Sequence, residues 1–266
     1  MIGISTSCFY PMLTEESLLT VAKLGVKTTE LFFNSQSETH GSILSQLKEI
    51  KDEYAIVINS VHPYFTFAEK NLLFSQYERR IEDGMDFYRG LFDACDVLGC
   101  KILVLHGDYN PLKIEDDEYL KRLKRLVLEA DDRGLIVTQE NVVNFRSASF
   151  DFLKKEREYL GDLFKMTFDI KQAVRSGVEP LSLAKEFGDS IVNVHISDHN
   201  EEYDCIPPTT GNFDFKSLFD IMNKHKYSGN YIIELYRSGF KDEAELENSY
   251  KKVTKIYENS CKIKNM

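Results

Sequence analysis

Hydrophobic and polar positions fall into two alternating rhythms along this chain. Eight short runs rich in β-branched and aromatic residues begin near Ile2, Thr28, Ala55, Lys101, Gly134, Lys165, Ser190 and Asn230. Between them lie longer segments, such as TEESLLTVAKLG, YERRIEDGMDFYRGLFDACDVLG and DDEYLKRLKRLVLEADDRG, in which apolar residues return every three or four positions. Short apolar runs suit buried strands, and the wider spacing places apolar side chains along one face of a helix. Their regular alternation predicts parallel strands joined by amphipathic helices. Gly25, Gly99 and Gly134 stand where three of those helices should stop, because glycine takes the left-handed cap conformation without a steric cost. No linker, Pro- or Ser-rich break or low-complexity tract divides the 266 residues. The expectation is a single α/β domain over residues 1–266, a closed (β/α)8 TIM barrel of ordinary size. An open doubly wound sheet is the alternative, but no GxGxxG follows the first strand and no GxxxxGK[ST] occurs, so the usual nucleotide cradles are missing.

Six polar residues close apolar strand-like runs: His62 in AIVINSVH, His106 in KILVLH, Glu140 in GLIVTQE, Asp169 in KMTFD, His195 in SIVNVH and Glu234 in NYIIE. In a parallel barrel every strand points its C-terminal end at the same mouth, so these residues converge whatever their separation in sequence. Buried acids without partners cost several kcal/mol each, so such a cluster is expected to share a cation or protons. Glu140, Asp169, His195 and Glu234 supply three carboxylates and one imidazole. That oxygen-rich set suits Mn²⁺, Mg²⁺, Co²⁺ or Zn²⁺, with Mn²⁺ the first choice, and does not suit copper(I) or iron–sulfur clusters.

The order of Glu in LIVTQEN, Asp in FDIKQ, His in VHISD and Glu in IIELY, with VKTTELFF at the second strand and histidines at the third and fourth, resembles the xylose-isomerase-like barrels. That superfamily holds sugar isomerases and epimerases, inosose dehydratases and the endonuclease IV DNA-repair enzymes, and the likeness covers nearly the whole chain. It implies that Glu140, Asp169, His195 and Glu234 ligate one divalent metal. It also implies that Glu140 and Glu234 flank a sugar and move a proton at the carbon beside its carbonyl through an enediolate. For His62 and His106 it offers two roles, a second metal shared with Glu140 or contact with substrate hydroxyls. Gln172 stands where the family often has a histidine three residues after the aspartate, and HNEEYDCIPPTTGN lacks the Asp-x-His pair of the three-metal endonucleases. Glu201 occupies the place of an arginine common among the epimerases. Gln172 can still donate a hydrogen bond to a substrate hydroxyl.

The functional expectation is a metal-dependent isomerase or epimerase, or a related dehydratase, acting on a small sugar, sugar acid or cyclitol. An endonuclease IV-like phosphodiesterase and a non-catalytic sugar-binding barrel are the alternatives. Net charge separates them, since 33 basic against 43 acidic residues give −10, which opposes a nucleic-acid backbone. A small carbohydrate-like partner is therefore expected, without nucleic acid or membrane, and a homo-oligomer stays open. Phe9, Tyr10, Tyr64 and Phe65 follow the first and third strands and are candidates for a pocket wall, while Asp198 and His199 are placed near the mouth. His40, His225 and the basic run KRLKR at 121–125 read as surface. Ser60 lies only two residues from His62, which gives no oriented serine-hydrolase arrangement. Five scattered cysteines without a CxxC pair read as reduced and unligated, and the start MIGISTSCFY shows no secretory pattern, so a cytoplasmic setting is expected.

Overall fold

A computed structural model describes residues 1–64, 69–109 and 114–263. The eight strands are β1 (Ile2–Ser5), β2 (Thr28–Phe33), β3 (Val57–Pro63), β4 (Ile102–Leu105), β5 (Ile136–Glu140), β6 (Met166–Asp169), β7 (Ile191–Ile196) and β8 (Asn230–Ile233). Each pairs in parallel with its successor, and β8 pairs with β1 through Gly3 opposite Ile232, so the sheet closes into a barrel. The (β/α)8 architecture expected from the alternating rhythms is the one the chain adopts.

The outer layer contains α1 (Thr14–Lys23), α2 (Gly41–Glu53), α3 (Arg79–Leu98), α4 (Asp116–Asp131), α5 (Phe150–Leu160), α6 (Ile170–Arg175), α7 (Pro180–Phe187), α8 (Phe215–Lys224) and α9 (Glu243–Ile263). Each buries a helical stripe against the strands; in α4 that stripe is Leu120, Leu123, Leu126, Val127 and Ala130. A buried side chain of this kind contributes about 1.5–3 kcal/mol, so the helices hold the barrel closed. Gly99 ends α3 at φ 68°, as its position after the apolar stripe predicts. The third strand starts two residues later than expected, because Ala55 adopts φ 51° in the turn before it. The KRLKR run also departs from a uniformly solvated face: Arg122 is buried, and its guanidinium donates to the carbonyls of Leu73 (3.3 Å) and Ser75 (2.6 Å). Among the described residues, no helix is long and apolar enough to cross a membrane.

The barrel interior carries a polar layer directly beneath the mouth. Strand side chains alternate in direction, so a residue facing inward is followed by another two positions on. Glu30, Ser60, Thr138, Thr167 and Asn193 form the lower layer, joined by Ser60 Oγ to Glu30 Oε2 (2.7 Å), Asn193 Nδ2 to Glu30 Oε2 (3.2 Å) and Thr138 Oγ1 to Thr167 Oγ1 (2.7 Å). Two residues further along the same strands stand Phe32, His62, Glu140, Asp169 and His195. A further amide chain runs below, with Asn230 donating to Asn59 (2.8 Å) and Asn59 to Asn193 (2.9 Å). Because these polar atoms are paired, their burial does not carry the penalty of an unsatisfied group, and the upper layer rests on a fixed floor.

Candidate metal centre and adjoining cleft

The six strand-end residues meet at the mouth. One ligand atom each from Glu140, Asp169, His195 and Glu234 can be chosen so that all four lie within 4.8 Å of one another, and His62, His106 and Glu140 form a second such group. Glu140 belongs to both. His106 and Glu234 stand one residue past β4 and β8, whereas Glu140 and Asp169 end their strands and His195 sits opposite Asp169 in the β6–β7 pairing.

Local structure divides the functional atoms of each side chain. Asp169 ends β6 and caps α6: its Oδ1 accepts from the Gln172 N–H at 2.8 Å, while Oδ2 has no well-formed hydrogen bond. His195 turns Nε2 to Glu30 Oε2 at 2.8 Å, leaving Nδ1 facing Glu234 Oε2 (3.4 Å), Asp169 Oδ2 (3.5 Å) and Glu140 Oε1 (3.6 Å) without a hydrogen bond of good geometry. His195 Nδ1 and Asp169 Oδ2, 3.5 Å apart and both buried without a hydrogen bond, fit a shared cation, although the Lys171 ammonium already stands 3.2 Å from the carboxylate oxygen. Glu30 adds the outer partner that a ligating imidazole usually has, fixing the ring and the proton on the far nitrogen. The donor set of carboxylates and imidazole suits a divalent ion, and the quartet is a candidate metal centre.

Electrostatics mark the same place. Burial alone would raise Glu140, but the three imidazoles of His106, His195 and His62 outweigh it and hold its carboxyl well below the usual range. Glu234 likewise resists the upward push of burial, and Lys171 with His195 brings it down to about 2. Asp169 moves upward because burial dominates there. Burial lowers His106, yet Glu140 and Glu69 more than compensate and bring it to about 9.

His62 and His106 form the flank of the site. His62 Nδ1 lies 3.2 Å from the Pro63 carbonyl, which leaves Nε2 facing Glu140 Oε2 at 3.4 Å; His106 Nε2 is 3.0 Å from that same oxygen. His62 also stacks on Phe32, with ring centroids 4.8 Å apart. The exit of β4 is pinned by Glu69, in a π-helical turn (Glu69–Leu73), which accepts from the backbone N–H of Gly107 at 2.8 Å and from Tyr88 Oη at 2.7 Å. Next to the quartet opens a cleft of about 770 Å³ lined by Tyr10, Phe32, Asn34, Tyr64, Tyr236 and Arg237.

Several other positions find different surroundings. Phe9 is buried in the apolar core, whereas Tyr10 and Tyr64 line the cleft; Phe65 lies outside the described residues. Gln172 Oε1 accepts from the Val143 N–H at 3.1 Å. Asp198 is buried and accepts from the backbone N–H groups of His199, Gly211 and Phe213, so it organises the loop after β7. All five cysteines are free. Two charged residues of the site were not singled out from the sequence, Glu30 and Lys171. The signal for Glu30 was a carboxylate inside an otherwise apolar strand, TTELFF; for Lys171 it was a lysine two residues past a strand-ending aspartate.

The family model of the xylose isomerase-like TIM barrel matches residues 18–256. The chain belongs to that family. Its fold is similar to that of a D-tagatose 3-epimerase-like protein (TM-score 0.78, 21% identity, covering 99% of this chain and 98% of that one). It is also similar to a D-psicose 3-epimerase with D-tagatose from Clostridium cellulolyticum H10 (TM-score 0.78, 14% identity, covering 97% and 98%). A third likeness is to the IOLI protein with a bound zinc atom (TM-score 0.77, 17% identity, covering 97% and 98%). At these identities the likeness is one of fold.

Proposed function

We propose that this protein is a divalent-metal-dependent isomerase or epimerase of a small sugar, sugar acid or cyclitol. The observation that carries the reading is the convergence of Asp169 Oδ2 and His195 Nδ1, buried and without good hydrogen bonds, on the carboxylates of Glu140 and Glu234 beside an open cleft. Glu140, Asp169, His195 and Glu234 would hold the ion, with Mn²⁺ favoured and Zn²⁺, Co²⁺ or Mg²⁺ alternatives. Once bound, it would supply Lewis acidity at adjacent substrate oxygens and so acidify the neighbouring C–H. Glu140 and Glu234 would move the proton, because their neighbours hold both carboxyls below the ordinary range despite burial and they project from separate strands, β5 and the end of β8. His62, His106 and Gln172 would orient hydroxyls, and the aromatic side chains of Phe32, Tyr10 and Tyr64 would form the wall against the sugar's apolar face. Solved structures of the same fold that are named epimerases, one of them with D-tagatose, support this substrate class.

The test is turnover on a panel of ketoses, aldoses, sugar acids and inososes, with product followed by NMR. Manganese-loaded protein is expected to convert at least one member. Glu140→Gln and Glu234→Gln should each lower the rate on the order of 10²–10⁴-fold, the usual contribution of a positioned acid–base group. Full activity in either variant would remove that glutamate from the proton path. A second reading, a metal-dependent phosphodiesterase, draws on the His62–His106–Glu140 cluster, which could hold another ion. Cleavage of an abasic-site duplex by wild-type protein but not by Glu140→Gln would favour it.

A further inference from the structure

Lys171 is only 4% exposed, yet it is a lysine placed against a candidate cation site. It enters from the first turn of α6, two residues past Asp169. Its ammonium lies 2.7 Å from Glu234 Oε2 and 3.2 Å from Asp169 Oδ2. Those are two of the oxygens that face His195 Nδ1, at 3.4 and 3.5 Å. Behind it, 5.1 Å away, is the ring of Tyr236, a residue of the cleft wall.

A buried ammonium costs several kcal/mol unless it is paired, and the pairing here uses lone pairs that a metal would also use. Three carboxylates around one divalent ion leave an uncompensated negative charge, whereas the added ammonium brings the group to balance. Without either cation, the carboxylates of Glu140, Asp169 and Glu234 would repel one another in a poorly screened interior. We propose that Lys171 is an internal cation that shares Asp169 and Glu234 with the divalent ion: it keeps the site assembled before metal arrives and weakens the hold on the metal that follows. The inference rests on the metal-binding part of the proposed function and on none of its chemistry.

The experiment is titration of metal-stripped protein with Mn²⁺ by calorimetry at fixed pH and ionic strength, for wild type, Lys171→Met, Lys171→Gln and Lys171→Arg. Removing one unit charge beside a dication is expected to tighten binding by at least about tenfold in Lys171→Met and Lys171→Gln. Lys171→Arg, which keeps the charge, should stay within about threefold of wild type. Melting adds a second readout: the two neutral variants should melt earlier than wild type without metal and gain more on adding Mn²⁺. If they do not fold without metal, Mn²⁺ should restore folding, and failure to do so would overturn the proposal. Equal or weaker Mn²⁺ binding by folded Lys171→Met would overturn the role of Lys171 alone. Absence of any binding of Mn²⁺, Zn²⁺ or Co²⁺ by wild type would overturn the metal reading and this inference with it.

Discussion

Buried polar atoms without a hydrogen bond stand in different settings, as the mouth and α5 illustrate. At the mouth, Asp169 Oδ2 and His195 Nδ1 face one another across a group of charges, and a cation resolves their situation. Glu156, on α5, is different: it is 1% exposed, its Oε2 has no hydrogen bond, and burial raises its pKa from the ordinary 4.5 to about 8. The folded chain therefore holds this proton more tightly than the unfolded chain does. Stability from this group is fully present below about 4.5, falls as pH rises through the interval up to about 8, and levels off above it. Glu156→Gln should remove that slope and raise stability at pH 8 by about 4 kcal/mol, with little change at pH 4, as read by urea unfolding at both pH values. Equal effects at the two pH values would show that folding does not raise the pKa of Glu156. The six strand-end residues were legible because each is a polar interruption at the end of an apolar run. Glu30 and Lys171 were not, because a lone carboxylate in a strand and a lysine in a helical turn are ordinary until the fold shows what they face.

At the scale of elements, two short segments place the site, and neither has a pattern that periodicity detects. Asp169 ends a strand and caps a helix with one oxygen, which commits the other to the mouth. Gly107, just past β4, holds φ 86°, and a Cβ there would lie 2.3 Å from Tyr119 Oη. Gly99, at the end of α3, also has positive φ (68°), but a Cβ would meet nothing within 4 Å. Gly99→Ala should therefore cost only about 1 kcal/mol of strain. Gly107→Ala should cost more, roughly 2–4 kcal/mol, since the strained backbone is joined by a steric clash. It should also shift His106, whose carbonyl and neighbouring N–H are held by Gln139 and Glu69. Urea midpoints for both variants check the ranking, and equal losses would contradict the clash. Strand and helix identities were readable from spacing; the exact start of β3 was not, because the turn at Ala55 depends on a left-handed backbone that no apolar pattern announces.

Over the whole molecule, the closed sheet converts separations in sequence into contact. Glu140 and Glu234, 94 positions apart in the numbering, share one group of ligand atoms because β5 and β8 point at the same mouth. That convergence was legible from eight strand-like runs, but the fixed floor beneath the mouth, Glu30, Ser60, Asn193 and their neighbours, needs the register of the strands to be seen. An ion bound at 100 times its dissociation constant should stabilise the fold by about 2.7 kcal/mol, so Mn²⁺ should raise the melting temperature by several degrees. An unchanged melting curve under saturating Mn²⁺ would argue against a built site. The proton transfer proposed for Glu140 and Glu234 makes the most direct demand on the molecule. The decisive measurement is NMR of candidate ketoses, aldoses and inososes incubated in D₂O with manganese-loaded protein. The predicted result is deuterium at the carbon beside the carbonyl of one substrate class, lost in Glu140→Gln, in Glu234→Gln and after metal removal. Metal-loaded, folded protein that leaves every such hydrogen in place across the panel would contradict the account.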